Sequence, residues 1–323
     1  MRALVIGGTL FIGRALVERL LERDDVVVVM HRGKGTPFGD RVEEIRCDRN
    51  DVDGVRDALD GRSFDVVYDN VYDWQRGTTA EQVSAAALAV AEGLSRYVFT
   101  SSVAVYDSGL HHDEDDELAP ADHPNRYNAQ KAETERVLFR LHRERGIPVA
   151  SLRPAFVYGP NNPFPRESFF WDRILADRPV IIPGDGMGPM QWVHAADVAR
   201  AAVLAAEEEV AVGRAYNLAC SPITQVELVE ALAHAAGQKP RLVHIPRERI
   251  EEAGGSLLEP PLYFGAYLDL PPLTVRSARA RSELGLHLRP FDEGLAETFA
   301  WYLEQERPRP DFSWEDRLLA DAW

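Results

Sequence analysis

Three side chains at defined spacing could carry proton-transfer chemistry: Ser102, Tyr127 and Lys131. Tyr127 and Lys131 are four residues apart, so in a helix they lie one above the other on the same face. The lysine ammonium would favour the ionised tyrosine, which makes Tyr127 a candidate general acid/base. Ser102 ends a predicted strand 25 residues before Tyr127, where its hydroxyl can bind a substrate oxygen. The spacing therefore predicts a catalytic centre made of these three residues.

A glycine turn, Gly-Gly-Thr-Leu-Phe-Ile-Gly at residues 7–13, follows the first apolar run and opens a helical pattern. Gly7 permits a tight turn and Gly13 permits close packing of the helix on the sheet. The helix N-terminus would present unpaired N–H groups to a pyrophosphate, which predicts a dinucleotide site. Leu10 replaces the middle glycine of the usual pattern. The predicted contacts in the turn are Gly7, Thr9, Leu10, Phe11, Ile12 and Gly13.

The residues after the second predicted strand should select the dinucleotide. An acidic residue there binds the 2′-hydroxyl of NAD, whereas arginine accommodates the 2′-phosphate of NADP. The chain has Arg32 and Lys34 there and no carboxylate, which favours NADP, with NAD as the alternative. Both cations could instead be solvated loop residues. Asp48 is placed to contact the adenine amino group. The predicted cofactor contacts outside the glycine turn are His31, Arg32, Lys34, Asp48, Tyr127, Lys131 and Pro154.

The elements that must position these residues alternate along the first half of the chain. Apolar strands separated by helices predict a parallel sheet covered on both faces. The expected fold is therefore α/β, a doubly wound parallel Rossmann sheet with a smaller C-terminal α/β substrate lobe. Strands are predicted at 3–7, 26–30, 44–47, 65–68, 97–101, 149–152 and 215–218, and helices near 52–59, 79–93, 127–145, 195–209, 225–236 and 291–304.

The local composition of the sequence changes after about residue 154, where prolines and glycines cluster. Such a loop-rich segment is where a substrate pocket would be built. We therefore predict an NAD(P)-binding Rossmann domain over residues 1–154, completed by about 190–218. Residues 155–189 and 219–323 are predicted to form the substrate-binding lobe.

Bulk properties restrict the class of protein. The formal net charge of −16 argues against a surface that grips nucleic acid. No apolar run approaches the ~20 residues that span a bilayer, and the opening residues are typical of a strand rather than a signal peptide. Cys47 and Cys220 lie far apart without metal-ligand spacing, so we expect no metal site and a reducing, cytoplasmic location. The acidic run at 111–117 is interpreted as a solvated loop.

The order of these motifs resembles the extended short-chain dehydrogenase/reductases, the NAD-dependent epimerase/dehydratase family. The resemblance includes FTSSVAVY at 99–106, LRPAFVYGP at 152–160 and QWVHAADVA at 191–199. It implies the catalytic roles given above for Ser102, Tyr127 and Lys131. It also implies an NAD(P)-dependent oxidoreductase or epimerase acting at a secondary alcohol or ketone, with a sugar or sugar nucleotide among the candidate substrates. Family members often form homodimers through two helices, which correspond to residues 79–93 and 127–145.

Several positions depart from the family pattern. Phe156 replaces an asparagine of sugar-nucleotide epimerases, and Met190 replaces an arginine that clamps the substrate diphosphate. An Asp-Glu pair of sugar 4,6-dehydratases is replaced by Val103-Ala104, so we exclude dehydration. Arg153 could reach a substrate phosphate or anchor the loop between the lobes. The predicted substrate contacts are Val103, Arg153, Phe156 and Trp192.

Two alternatives remain open at this point. Net reduction and epimerisation both use the same catalytic residues, and the residues do not separate them. The glycine turn and the His-Arg-Gly at 31–33 resemble a divergent branch that includes chloroplast stem-loop RNA-binding proteins. The alternative function is therefore an NAD(P)-binding regulatory or RNA-binding protein without turnover.

Overall fold

The computed structural model describes residues 1–256 and 268–320, and the chain divides into two compact units. The first unit holds the glycine turn and all three predicted catalytic residues. Within the described residues, it comprises Met1–Val157, Trp192–Cys220 and Val275–Leu288. Of the residues that the structure describes, the second unit comprises Tyr158–Gln191, 221–256, 268–274 and 289–320.

A seven-stranded parallel sheet forms the centre of the first unit. Its strands are β1 (Arg2–Ile6), β2 (Val26–His31), β3 (Glu43–Arg46), β4 (Val66–Asp69), β5 (Arg96–Thr100), β6 (Val149–Pro154) and β7 (Arg214–Leu218). The order across the sheet is β7-β6-β5-β4-β1-β2-β3, and every neighbouring pair is parallel. The order reverses beside β1, which is where ligands of such sheets bind. The prediction of a doubly wound parallel sheet is confirmed.

Helices cover both faces of this sheet, which explains why its inner strands β1, β2 and β4 are mostly apolar. They are α1 (Phe11–Glu22), α2 (Val52–Leu59), α3 (Ala80–Ala89), α4 (Arg126–Arg145), α5 (Ala195–Glu207) and α6 (Ala278–Leu284). Val5 of β1 packs in the core formed with α1 and α5, whereas Leu4 packs in the core formed with α2, α3 and α4. Because successive side chains of a strand point to opposite faces, both must be apolar here. Shorter strands lie at Gly109–His112, Phe156–Tyr158, Trp192–His194 and Leu273–Val275.

The second unit is smaller and also mixes helices with strands. Its helices are Glu167–Leu175, Gln225–Ala235, Arg247–Glu252, Phe291–Leu303 and Ser313–Ala320, and its strands are Pro179–Pro183, Pro189–Met190, Ile223–Thr224 and Arg241–Ile245. The first and last of these strands pair in parallel. Ile181 and Ile245 pack with Ile250, Leu318 and Leu319 in a buried cluster, which gives the unit its own core.

Two expectations about the first unit need correction. One concerns residues 275–288, and the other concerns the acidic run at 111–117. Residues 275–288 belong to the first unit rather than to the substrate lobe, because the Ser277 hydroxyl bonds to both backbone groups of Ala219, at 3.0 and 3.1 Å. The acidic run is not simply a solvated loop. Glu114 is buried and accepts from the backbone N–H of Asn217 at 3.0 Å, and its neighbours pair with arginines at 276 and 279.

Candidate active site

Ser102 lies just beyond the carboxyl end of β5, where the chain turns into a short helical segment, Val103–Val105. Its extended backbone and its hydroxyl, which accepts from the N–H of Ala104 at 3.1 Å, cap this segment. The segment packs against α4. Ser102 is therefore brought to the helix that carries the other two predicted catalytic residues, and Val103 lies beside it in the same turn.

The helix α4 begins where its sequence supplies a cap. The Asn125 side chain accepts from the backbone N–H of Tyr127 at 2.9 Å, which places Tyr127 in the first turn. Lys131 follows one turn later and is only 4% exposed. Its Nζ donates to the carbonyl oxygen of Thr100 at 2.7 Å. This bond joins α4 to the end of β5, two residues before Ser102.

The environment of Lys131 lowers its basicity. Burial lowers the pKa of Lys131 to about 8, against the opposing effect of the Asp69 and Glu135 carboxylates. Asp69, at the end of β4, is fully buried and accepts from the Tyr97 hydroxyl at 2.7 Å and from the Arg49 guanidinium. Sequence reasoning missed this buried charge cluster.

Aromatic side chains of the β4 loop, residues 70–79, contact the Tyr127 ring. The Trp74 ring stacks on it with centroids 4.7 Å apart, and the Tyr72 ring meets it edge-on at the same distance. The Tyr72 hydroxyl donates to Gln130 on α4 at 2.8 Å, which holds the β4 loop against that helix. Neither ring was predicted from the sequence as a site residue.

In the glycine turn, Gly7 and Gly13 occupy positions where a larger residue would clash with neighbouring atoms. A Cβ atom on Gly7, whose φ is +85°, would lie 2.3 Å from Val71 Cγ2, and one on Gly13 would lie 1.9 Å from the Gly7 carbonyl oxygen. The helix α1 starts without a side-chain cap and without an acidic residue in its first turn. Its N–H groups can therefore bind an anion, and Leu10 immediately before them is largely exposed. These features fit the pyrophosphate of a dinucleotide.

Charged side chains from other parts of the chain gather at the end of β2. Arg32 donates to Asp73 of the β4 loop at 2.7 Å, and Arg76 donates to the same carboxylate oxygen at 2.9 Å. Arg76 also donates to Asp48 at 2.7 Å. The backbone N–H of Arg76, with the Arg76 and Arg32 guanidinium groups, holds the pKa of Asp73 well below its usual range. Thus Arg32 and Asp48 are brought together, through two residues that were not predicted.

Other predicted cofactor residues occupy different environments. His31 is buried, with its Nε2 atom 2.9 Å from a carboxylate oxygen of Glu44. Lys34 is exposed, and its carbonyl oxygen accepts from Arg46 at 2.9 Å. Pro154 ends β6 and is buried. The Lys34 side chain therefore lies on the surface. In sequence it is two residues after Arg32.

Arg153 does not present its charge as a substrate ligand would. It is 3% exposed, and its Nε donates to both Glu135 carboxylate oxygens at 3.0 Å. Its Nη1 donates to the Tyr106 hydroxyl at 2.6 Å and to the carbonyl oxygen of Glu114 at 3.0 Å. A buried arginine requires such compensation, and here protein atoms supply it. The interpretation of Arg153 as a phosphate ligand is therefore corrected to an internal ion pair.

Phe156 and Trp192 form an apolar contact rather than a polar binding site. Their rings pack with centroids 5.3 Å apart, and Trp192 is almost completely buried. Phe156 remains partly exposed. Of the predicted substrate residues, Val103 therefore lies beside Ser102 and Phe156 offers an apolar surface, whereas Trp192 packs inside the fold.

The match to known families agrees with this geometry. The sequence model of the NAD dependent epimerase/dehydratase family matches residues 3–219. The chain belongs to this family. It is 32% identical over 266 residues to the chloroplast stem-loop binding protein of 41 kDa b of Arabidopsis thaliana, covering 76% of this chain and 67% of that protein. It is 28% identical to a dTDP-glucose 4,6-dehydratase of Streptomyces niveus, covering 94% of this chain and 93% of that protein.

A solved structure of MoeE5 in complex with UDP-glucose and NAD is also similar. Its TM-score is 0.72 at 26% identity, and the match covers 94% of this chain and 99% of that one. Membership of the NAD-dependent epimerase/dehydratase family supports a nicotinamide cofactor and an enzyme of the extended short-chain type. Among the described residues, no helix is long and apolar enough to cross a membrane, and no three or more His, Cys, Asp or Glu side chains form a group that could hold a metal ion.

Proposed function

We propose that the protein is an NADP(H)-dependent oxidoreductase or epimerase that acts at a secondary alcohol or ketone. The observation that carries the proposal is the bond from Lys131 Nζ to the Thr100 carbonyl oxygen. This bond joins the helix of Tyr127 to the strand end beside Ser102, at the carboxyl edge of the sheet where ligands of this fold bind. A bound nicotinamide would supply or accept the hydride at the substrate carbon.

The chain's own residues would handle the proton and orient the substrate. The Tyr127 hydroxyl donates its proton to the carbonyl oxygen during reduction, or accepts the alcohol proton during oxidation. The Lys131 ammonium stabilises the tyrosinate, and it also holds the cofactor ribose. The Ser102 hydroxyl donates to the substrate oxygen and directs it toward Tyr127. Each role would use a side chain from the end of β5 or from the first two turns of α4.

The substrate class we propose is a sugar or sugar nucleotide. The similarity to MoeE5 in complex with UDP-glucose and NAD supports this class. Dehydration is a poor fit even though a 4,6-dehydratase is among the relatives. The turn after Ser102 begins with Val103 and Ala104, which offer no carboxylic acid for eliminating water. The expected outcome is therefore epimerisation or net reduction, in a cytoplasmic homodimer formed through α3 and α4.

The test combines dinucleotide binding with turnover. Purified protein is titrated with NADPH and NADH, and then incubated with UDP-glucose, dTDP-glucose and simple ketones while product is detected by mass spectrometry. Tyr127→Phe should keep dinucleotide affinity and lose turnover by about a hundredfold or more, because only the proton donor is removed. Ser282→Ala, which removes an exposed hydroxyl on α6, is the control. Equal turnover by wild type and Tyr127→Phe would refute the catalytic assignment.

A second candidate is an NAD(P)-linked RNA-binding protein without turnover. The similarity to a chloroplast stem-loop binding protein favours it. The net charge of −16 opposes it, because phosphate contacts require clustered cations. Binding of a stem-loop RNA that weakens steeply with salt, together with no turnover of any sugar nucleotide or ketone, would favour this candidate over the enzyme.

A further inference from the structure

The carboxylate of Asp73 is saturated with donors. Its Oδ1 accepts from the backbone N–H groups of Gln75 and Arg76, at 3.0 and 2.9 Å. Its Oδ2 accepts from Arg32 and from the Arg76 Nε, at 2.7 and 2.9 Å. A carboxylate offers about four acceptor positions, so Asp73 has none left for the hydroxyl groups of a ribose.

The two arginines, in contrast, keep donors to spare. Arg32 is bonded through Nη1 alone, and Arg76 through Nε and Nη2, within the described part of the chain. Each guanidinium has five N–H groups, so both arginines retain donors for a ligand. Their side chains are 60% and 51% exposed, which leaves these donors accessible from solvent. Arg32 and Arg76 at the end of β2 therefore have unused N–H donors, whereas the Asp73 carboxylate between these arginines has no unused acceptor position.

The position of this pair relative to the glycine turn indicates what it would bind. Arg32 directly follows His31, the last residue of β2, and Arg76 comes from the β4 loop. That loop touches the glycine turn, since a Cβ atom on Gly7 would lie 2.3 Å from the Val71 side chain. A dinucleotide whose pyrophosphate lies on the glycine turn extends its adenosine ribose toward the end of β2.

We propose that Arg76 and Arg32 form a paired-guanidinium site for the 2′-phosphate of NADP(H), with Asp73 as the carboxylate that holds both in place. This inference rests on the proposed function and adds Arg76 to the residues that select the dinucleotide. A phosphate monoester brings three acceptor oxygens and up to two negative charges, which match the spare donors of two arginines. The 2′-hydroxyl of NAD would leave most of these donors unmatched.

Titration calorimetry on the full chain tests the site. The ligands are NADPH, NADH, adenosine 2′,5′-bisphosphate and AMP, and the variants are Arg76→Ala, Arg76→Lys and Arg56→Ala. Arg56 is a matched control, since it is similarly exposed and also pairs with an aspartate three residues earlier, Asp53. Arg76→Lys keeps the charge but loses the fork geometry, and thermal unfolding verifies that each variant is folded.

We expect Arg76→Ala to weaken NADPH and the bisphosphate by about tenfold to a hundredfold, the usual effect of losing a charge-assisted contact. NADH and AMP should change by less than about threefold on the same scale, and Arg56→Ala should have no effect. An equal loss for NADPH and NADH, or no loss for NADPH, overturns the site while leaving a dinucleotide enzyme intact. If the wild type binds neither dinucleotide, the proposed function fails and the inference fails with it.

Discussion

Replacing Lys131 by methionine should make the protein more stable while abolishing its catalysis. The pKa of Lys131 is lowered to about 8 from an ordinary value of 10.5. Each pKa unit corresponds to about 1.36 kcal/mol, so the buried charge costs the folded state about 3 kcal/mol at neutral pH. Methionine removes this cost but leaves the Thr100 carbonyl without its donor, which costs about 1–2 kcal/mol. The expected net gain at neutral pH is therefore about 1–2 kcal/mol.

The dependence on pH has a defined sign. Below about pH 8 both the folded and the unfolded states carry the lysine proton, so the full penalty is present. Between about pH 8 and 10.5 the unfolded state binds more protons than the folded state, so wild-type stability rises with pH relative to the variant. Lys131→Met should therefore lose its advantage over this interval.

Urea unfolding of wild type and Lys131→Met between neutral pH and about pH 9.5, monitored by circular dichroism, measures this difference. Lys239→Met is the control, because Lys239 is an exposed lysine. A Lys131→Met variant that is less stable than wild type at neutral pH, with a constant difference across this range, would refute the assignment of a destabilising buried ammonium.

Three further substitutions have defined expected outcomes. Gly13→Ala should cost about 1–3 kcal/mol and abolish dinucleotide binding, as measured by thermal unfolding and titration, because its Cβ would lie 1.9 Å from a backbone oxygen of the glycine turn. Glu135→Gln should cost about 3–5 kcal/mol in urea unfolding, because it leaves the Arg153 charge buried without a countercharge. Trp74→Ala should cost about 0.5–1.5 kcal/mol and change kcat more than the dinucleotide KM, because only the ring stacked on Tyr127 is lost.

Each of these outcomes has a matched comparison. Gly35→Ala should be tolerated, because no atom lies within 4 Å of the Cβ position there. Replacing Glu135 by leucine together with Arg153 by methionine should recover most of the loss seen in Glu135→Gln. Normal dinucleotide binding by Gly13→Ala would contradict the close approach to the Gly7 carbonyl oxygen. An unchanged free energy of unfolding for Glu135→Gln would contradict the ion pair with Arg153. A change in KM alone for Trp74→Ala would contradict the role of the ring stacked on Tyr127.

The sheet, and the position of Tyr127 and Lys131 on one helix, could be predicted because their signals are local. Apolar runs define the strands, and a four-residue spacing defines the shared helix face. Arg76 could not be found in this way, because its site depends on Asp73 meeting Arg32 across 41 residues of sequence. That meeting follows from the order of β4, β1 and β2 in the sheet.

Arg153 illustrates the converse error. An arginine at the end of a strand is equally consistent with a ligand and with an internal ion pair. Only the structure shows that Glu135 of α4 reaches it, at 3.0 Å. The aromatic residues of the β4 loop were missed for a related reason. Tyr72 and Trp74 occupy a segment without periodicity, so nothing local indicates that they contact Tyr127.

The helix α4 is attached to two neighbouring strands by buried polar groups on one of its faces. Lys131 bonds to the end of β5, and Glu135 bonds to Ser151 and Arg153 of β6. Tyr127 therefore lies in the first turn of a helix that is already fixed to the sheet, so the position of its backbone is established during folding rather than during substrate binding. Surface loops can then change in sequence without moving the Tyr127 backbone, which allows substrate preference to diverge while the proton-transfer chemistry is retained.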